Sequence, residues 1–524
     1  MPGNFPCVPE FISQVGCDEC KIRPWMSAVP SSPNNRFPPS ICDASDHGFS
    51  PGASGLANAR ALQKAADQGG AVWISKPGVY DIAETVLIGS HTSLTFGEGV
   101  FLRKVATQGV YSNVFLNKGA RTKSWDVGIS ITGLNLIVNG IDQKFGSIYG
   151  LRGQIAFFYV RDMRIERFRC LDLDKLQFAI HVCTFEDLVI HDAVIHGKKD
   201  GIHLGCGKRF AIRNCVFQTH DDAVALNAHD YATSNPELGW IEDGIVEECH
   251  DLAEPDERRS DGYFCRLLAG GWDDWHSGLQ VRQSDTVVSN GRLYRVHAEA
   301  DGTRMTSQTR PVHSSGTQVL DGIPWAMVQD GELRTAGVRN VVFRNIFLRN
   351  PRTAFSLHFD DDHYSRSYRH GSPVPVQENI LVENVAVLHG EPTDLLSITS
   401  PANIVSIHRA RLCSNGVVIS GDQTSHRGNT TCIDFLGCIF EEAGEMVLLR
   451  NTVDGKAISL LTSASVVVHS QFRATVDAGK GKILLNSDLP GACSLKKSDG
   501  LFACEKSFSE ALGGEDTNSE QRKS

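Results

Sequence analysis

The chain has 524 residues, 41% of them hydrophobic and 21% charged, enough apolar material for a large core and too much for an intrinsically disordered protein. Lys plus Arg number 51 against 61 Asp plus Glu, a formal charge of −10, which argues against a nucleic-acid partner because a phosphate backbone calls for a basic face. No apolar run is long enough to cross a bilayer, so no membrane partner is expected. The N-terminus lacks a basic stretch followed by an apolar one, so the expected location is cytoplasmic, or secreted if a leader has been removed.

In chain order, residues 1–45 read as an N-terminal extension. It contains Cys17-x-x-Cys20, with Cys7 and Cys42 nearby, a spacing open to a zinc knot or a disulfide. Many of the 15 cysteines, such as Cys183, Cys215 and Cys438, sit in apolar strand-like runs and read as buried free thiols. A short helix is expected over 56–67, rich in Ala, Leu, Gln and Lys and stopped by Gly69-Gly70. It would cover the exposed edge of the first strand layer, which begins at Ala71-Val-Trp-Ile74.

A repeat follows. Phe178-Ala-Ile-His-Val182, Asp200-Gly-Ile-His-Leu204 and Asp222-Ala-Val-Ala-Leu226 each start 22 residues after the last. Leu188-Val-Ile-His-Asp-Ala-Val-Ile195 matches Phe210-Ala-Ile-Arg-Asn-Cys-Val-Phe217 at the same shift, and Met163 and Ile165 precede Leu188 and Ile190 by 25. Alternation within these runs indicates strands, and short strands recurring at this period bury a core only when stacked as coils. The expected fold is therefore all-β, a parallel β-helix over 46–490. The region 228–335 breaks the period, carries four of the seven tryptophans and reads as a large insertion. The pattern returns at Val338-Arg-Asn-Val-Val-Phe-Arg-Asn-Ile-Phe347 and, 39 residues on, at Asn379-Ile-Leu-Val-Glu-Asn-Val-Ala-Val387, through Asn340/Asn379 and Asn345/Asn384. Weaker coils run through 402–490. Residues 491–524 read as a polar tail, with some order near 501–504.

A parallel ladder advances about 4.8 Å per coil, so residues one period apart become neighbours. Asp200 therefore stacks near Asp221 and Asp222. Two unpaired carboxylates would be costly inside the core, so all three are expected in the turn before the strand, with side chains reaching the surface. Mutual repulsion raises at least one pKa and leaves a proton donor beside a base, an arrangement suited to glycoside hydrolysis. A calcium site or a solvated acidic turn is the alternative.

With these motifs the chain resembles the polygalacturonase-type glycoside hydrolases of family 28, in the pectin-lyase-like β-helix superfamily. The resemblance is carried by Asn58-Ala-Arg-Ala-Leu-Gln-Lys-Ala-Ala-Asp67 with Gly69-Gly-Ala-Val-Trp-Ile-Ser-Lys-Pro-Gly-Val-Tyr80, by Lys199-Asp-Gly-Ile-His-Leu204, by His220-Asp-Asp-Ala-Val-Ala-Leu226, and by 338–348 followed by 355–364. It implies a right-handed parallel β-helix and an inverting hydrolase that needs no cofactor and no metal and acts on an oligo- or polysaccharide. Asp221 would be the general acid, Asp200 and Asp222 would hold and deprotonate the water, and Tyr364 would contact substrate. The family's Gly-His-Gly, expected near Glu242-Asp-Gly244, and its Arg-Ile-Lys element are not found, which argues against homogalacturonan as substrate. His220 or His203 is a candidate replacement for the histidine.

Further candidate substrate contacts are Trp272, in Gly270-Gly-Trp-Asp-Asp-Trp-His276, and Arg366, in the Asp360–His370 loop. The alternatives are that Trp272 and Trp275 pack the insertion onto the solenoid and that the Arg366 loop neutralises its own charges. Lys199, beside Asp200, would tune the acids, contact a uronate, or simply face solvent. Two rival functions are a calcium-dependent polysaccharide lyase on the same fold and a non-catalytic carbohydrate-binding β-helix.

Overall fold

The computed structural model describes residues 41–504, apart from 107–110, 144–147, 254–260, 363, 389–392, 420–430 and several short stretches beyond 440. Cys7, Cys17 and Cys20 lie outside the described residues. The protein is a right-handed parallel β-helix. Thirty-six of the described strands form one sheet, pairing in parallel from coil to coil. One interior column shows the construction. Val86, Phe115, Ile155, Ile180, Ile202, Val224, Cys265, Phe355, Leu396 and Val417 follow one another in register. All are fully buried. The 22-residue repeat corresponds to the step Ile180–Ile202–Val224, and Val341 pairs with Ile380 as the asparagine match anticipated.

The corners are set by backbone conformation. Arg167, Asp192, Asn214, Glu248, Asn345, Asn384 and Arg409 all have φ between 51° and 56°. They stack as one column of left-handed turns, a conformation that Asn and Asp tolerate best among residues with a Cβ. In a second column, Asn379 Nδ2 donates to Asn340 Oδ1 at 2.9 Å and Asn340 Nδ2 to Asp243 Oδ1 at 2.9 Å. The side-chain ladder runs beside the backbone ladder.

At the N-terminal end the helix is Gly55–Ala66, with Ser54 Oγ accepting from Ala57 N at 3.3 Å as its N-cap. It buries Ala59, Ala61, Leu62 and Ala65 in the main core. Strand pairing begins inside the expected extension, where Ile41–Asp43 lies beside Gly70–Ile74. It continues past 490 to Leu501–Cys504, inside the expected tail.

The period was lost at 228 because a loop enters there, not because the coils stop. Ile241–Glu247, His250–Asp251 and Cys265–Leu268 are regular coil strands. The elaborated insertion is 270–336, part of which packs into the main core through Trp272, Val288, Leu293 and Val328. It holds a four-stranded antiparallel sheet with its own core of Trp275, Leu279, Val287, Tyr294, Ile323 and Trp325. Cys42, Cys170, Cys183, Cys206, Cys215, Cys249, Cys265, Cys413 and Cys438 are free thiols, and Cys170, Cys183, Cys215 and Cys438 among them are buried.

The corner ladder yields a prediction. Asn340→Ala places a Cβ-bearing residue without a polar side chain at φ 57° and removes two ladder bonds, whereas Asn340→Gly removes the bonds without the strain. Alanine should destabilise by about 1–3 kcal/mol and glycine by less, measured by denaturant unfolding. Equal losses would mean that the left-handed corner carries no strain.

Candidate active site

Asp200 lies in the turn between strands Val194–Gly197 and Ile202–Leu204. Asp221 and Asp222 lie one coil on, between Val216–Thr219 and Val224–Asn227. Gly201 N donates to Asp222 O at 2.9 Å, joining the two turns. Two glycines permit the approach. A Cβ on Gly201 would fall 2.6 Å from Ala223 O, and one on Gly262, in the following coil, 2.4 Å from the Asp221 carbonyl carbon. The turn is also held from behind. Arg352 Nη1 donates to Asp221 O at 2.7 Å while the same guanidinium forks onto buried Asp251 at 2.9 and 3.0 Å.

The trio converges: one oxygen from each of Asp200, Asp221 and Asp222 lies within 4.8 Å of the others. The backbone sits in the turn as expected, but only Asp221 reaches the surface. Asp200 and Asp222 are 2% and 1% exposed. Burial is made tolerable by cations. The Lys199 ammonium contacts Asp221 and lies 3.3 Å from Asp200. Arg266 Nε lies 3.2 Å from Asp222, and its Nη2 is 3.6 Å from buried Asp230. Arg266 follows Ala225 in register, and the small alanine leaves the guanidinium room to reach back. His203 Nδ1 is 2.9 Å from Asp200 Oδ2, and its Nε2 is 3.5 Å from Asp230 Oδ2.

These surroundings drive the acids apart. Burial opposes ionisation of Asp200, but the Lys199 charge and the His203 hydrogen bond outweigh it and hold the carboxyl well below the usual range. Asp222 is pushed up to about 6, chiefly by burial; Arg266 counters this and the Asp200 charge adds to it. Burial raises Asp230 as well and lowers His203. The site thus pairs a firmly ionised carboxylate with a carboxyl that holds its proton into the mildly acidic range. Three carboxylates at this spacing can also ligate a cation, although Lys199 and Arg266 already bring two positive charges to them.

The other candidates fall in different places. His203 is fully buried behind Asp200, with its Nδ1 2.9 Å from Asp200 Oδ2. Trp272 is 2% exposed and donates its indole N–H to Leu333 O at 2.7 Å; it packs the insertion onto the solenoid and is not a subsite wall. Arg366 is tied to Asp285 of the insertion. His220 sits half-exposed on the rim, 3.7 Å from Asp261. Tyr364 is 43% exposed and lines a cleft. The coil after the aspartate pair presents Tyr263 opposite Asp222, with Tyr263 N donating to Asp222 Oδ1 at 2.9 Å. The position sought near Glu242 lies instead on another face, paired with Lys208. Sequence reasoning missed Arg266 and Asp230. Their one signal was a lone arginine inside the apolar run Phe264-Cys-Arg-Leu-Leu268, at an irregular distance from the repeat.

No protein-family model matches the sequence, and no curated protein matches it. Several solved structures are similar to it over parts of the chain. An exopolygalacturonase from Thermotoga maritima is 10% identical, with 92% of this chain and 96% of that one covered and a TM-score of 0.40. The tailspike of E. coli bacteriophage HK620, solved with a pentasaccharide, is 10% identical over 88% of this chain and 78% of its own, with a TM-score of 0.44. A putative glycosyl hydrolase from Parabacteroides merdae is 14% identical, covering 42% of this chain and 97% of that one, with a TM-score of 0.30. Likeness at this level assigns no chemistry to this chain.

The raised Asp222 has a consequence for stability. Its folded-state pKa of about 6 exceeds the unfolded value of about 3.9, so it destabilises the fold progressively as pH climbs through that window. Asp222→Asn should therefore stabilise at pH 8 by on the order of 2 kcal/mol and have little effect at pH 4, read from thermal or denaturant midpoints. A destabilised variant at pH 8 would contradict the raised pKa.

Proposed function

We propose that this protein is a glycoside hydrolase in which Asp200, Asp221 and Asp222 cleave an O-glycosidic bond of a complex glycan. The observation that supports this most directly is the convergence of three carboxylates on adjacent coils, one held ionised and one held protonated into the mildly acidic range. That is the acid–base pair glycoside hydrolysis needs.

Asp221 is the member whose side chain reaches solvent, at 28% exposure, so it delivers the proton to the leaving oxygen. The resting proton lies on Asp222. In this reading Asp222 hands that proton to Asp221, an oxygen of which lies within 4.8 Å. Asp200 accepts the proton of the attacking water as the new C–O bond forms and the glycosidic C–O bond breaks. Lys199 and His203 keep Asp200 ionised for this step. The oxygens lie closer together than the roughly 6.5–9.5 Å typical of inverting carboxyl pairs, so the inverting assignment rests on the family resemblance alone. The insertion beside the cleft suits exo action.

The test is incubation of the wild type, Asp200→Asn, Asp221→Asn and Asp222→Asn with a panel of oligosaccharides, following reducing ends and ultraviolet absorbance. Each variant should lose at least about 100-fold in kcat/KM, with no new absorbance from the wild type. Activity should fall as pH rises through about 6, where Asp222 loses its proton. It should persist on the acid side to below the usual carboxylate range, because Asp200 stays ionised there. Absorbing products would instead identify a lyase, and glycan binding without turnover a binding protein.

A further inference from the structure

Asp230 lies just after strand Val224–Asn227, and no step of the hydrolysis proposed for the trio uses it. Its side chain is fully buried. Oδ1 accepts from Tyr231 N at 2.7 Å, and Oδ2 accepts from Asn227 Nδ2 at 2.6 Å. The Asn227 amide is oriented, because its Oδ1 accepts from Arg266 Nε at 3.2 Å. Two further groups approach Asp230 Oδ2, Arg266 Nη2 at 3.6 Å and His203 Nε2 at 3.5 Å.

The hydrogens on His203 can be counted from its neighbours. Asp200 is ionised, with Lys199 Nζ 3.3 Å from its Oδ1, so its Oδ2 can only accept. His203 Nδ1, 2.9 Å from that oxygen, therefore carries a hydrogen. A neutral imidazole has one N–H, which leaves a lone pair on Nε2. Nε2 is buried, and Asp230 Oδ2 is the carboxyl oxygen beside it. If Asp230 were ionised, two lone pairs would face each other away from water. One proton must lie between the two side chains, on one or the other. Burial disfavours the imidazolium and the carboxylate alike, lowering His203 and raising Asp230, so the proton rests on Asp230. The charges around Asp230 pull both ways. Arg266, from the following coil, favours its ionisation, and Asp360, from the loop after Phe355–His358, opposes it. Arg295 of the insertion donates to the backbone oxygens of Asp230 and Asn235. His229 of the same loop and His181 of the preceding coil are held down by burial and are neutral.

We propose that Asp230 is a positioning residue: as a neutral carboxylic acid it donates to His203 Nε2 and holds the imidazole with its Nδ1 hydrogen on Asp200. It acts through His203 on the group that accepts the proton of the attacking water, so its catalytic meaning rests on the glycosidase reading. Ionisation of Asp230 would remove the donor, set a carboxylate against the Nε2 lone pair and draw Arg266 from Asp222. The active form thus carries two protons on buried carboxyls. The one on Asp222 is for the leaving oxygen, and the one on Asp230 keeps the base in place.

The first test needs no substrate. Infrared difference spectra between about pH 5 and about pH 8 are compared for Asp222→Asn and for the double variant Asp222→Asn, Asp230→Asn. The carbonyl band of a protonated carboxyl should be stronger in the single variant, the excess being Asp230. Identical bands overturn the proposal. Should the double variant fail to fold, spectra of wild type and His203→Gln labelled with 15N-histidine decide the same point. A His203 signal with hydrogen on Nδ1 alone supports the proposal, and hydrogen on Nε2 overturns it. Kinetics then read the positioning. On the alkaline side log kcat/KM of the wild type should fall with a limiting slope of about −2, and that of Asp230→Asn with a slope of about −1. Asp230→Ala should lower kcat at least about tenfold with KM within about twofold, because a buried carboxyl meets no substrate. A slope of about −1 in both proteins, or an unchanged kcat in Asp230→Ala, overturns the positioning role. A protonated Asp230 in a protein that hydrolyses no glycan would leave the Asp230–His203 hydrogen bond standing and refute the glycosidase reading alone.

Discussion

The amide of Gly201 donates to the carbonyl of Asp222, the amide of Ala223 donates to the carbonyl of Tyr263, and parallel pairing of this kind runs from coil to coil among the described residues. This parallel ladder fixes the coil rise at about 4.8 Å and leaves little freedom to the residues at equivalent corners. Three carboxylates come together because the register leaves them no other place. A globular active site positions its acids through packing that a few substitutions can shift. Here the spacing is a property of the backbone, and the side chains around the acids adjust their charge instead of their position.

That adjustment explains what is buried nearby. Two carboxylates under the surface would cost several kcal/mol each if left alone. Lys199 comes from the same turn as Asp200, and Arg266 comes from the following coil past the small Ala225. The two cations are not equivalent in effect. Lys199 and His203 lower Asp200, whereas Arg266 is shared between Asp222 and Asp230 and leaves both raised. Unequal sharing of positive charge separates a base from an acid within one contact distance.

The coil architecture was legible wherever loops were short. Ile180, Ile202 and Val224 keep an unbroken 22-residue step, and their register is as the spacing implied. The step from Ile212 to Val246 is 34 residues and that from Val246 to Phe343 is 97, because loops of unequal length enter at one corner. Periodicity cannot register such shifts, so the coil strands at 241–247 and 265–268 were assigned to the insertion. Arg266 was lost with them. The trio itself was legible as three residues on neighbouring coils. Its burial was not, since alternation gives the side of a strand but not what a later loop lays over it. Trp272 shows the same limit, as an aromatic in a polar loop that packs the core rather than facing a sugar.

The position of those loops is itself informative. Strand Ile202–Leu204 is followed directly by the next strand at Gly207. Its successors Val224–Asn227, Cys265–Leu268 and Phe355–His358 are followed by 228–240, 269–337 and 359–377 before the equivalent strand resumes. All three insertions therefore leave from the same end of the same strand column, about 4.8 Å apart, and must stand side by side as a wall. The turns carrying the aspartates lie at the opposite end of that column and remain short. A strand of four residues spans roughly 13 Å, and the wall is tied to the carboxylates by more than the ladder, since Asp230 of its first loop contacts both His203 and Arg266. Exchanges in the wall that spare Asp230 leave the side-chain contacts around the carboxylates in place.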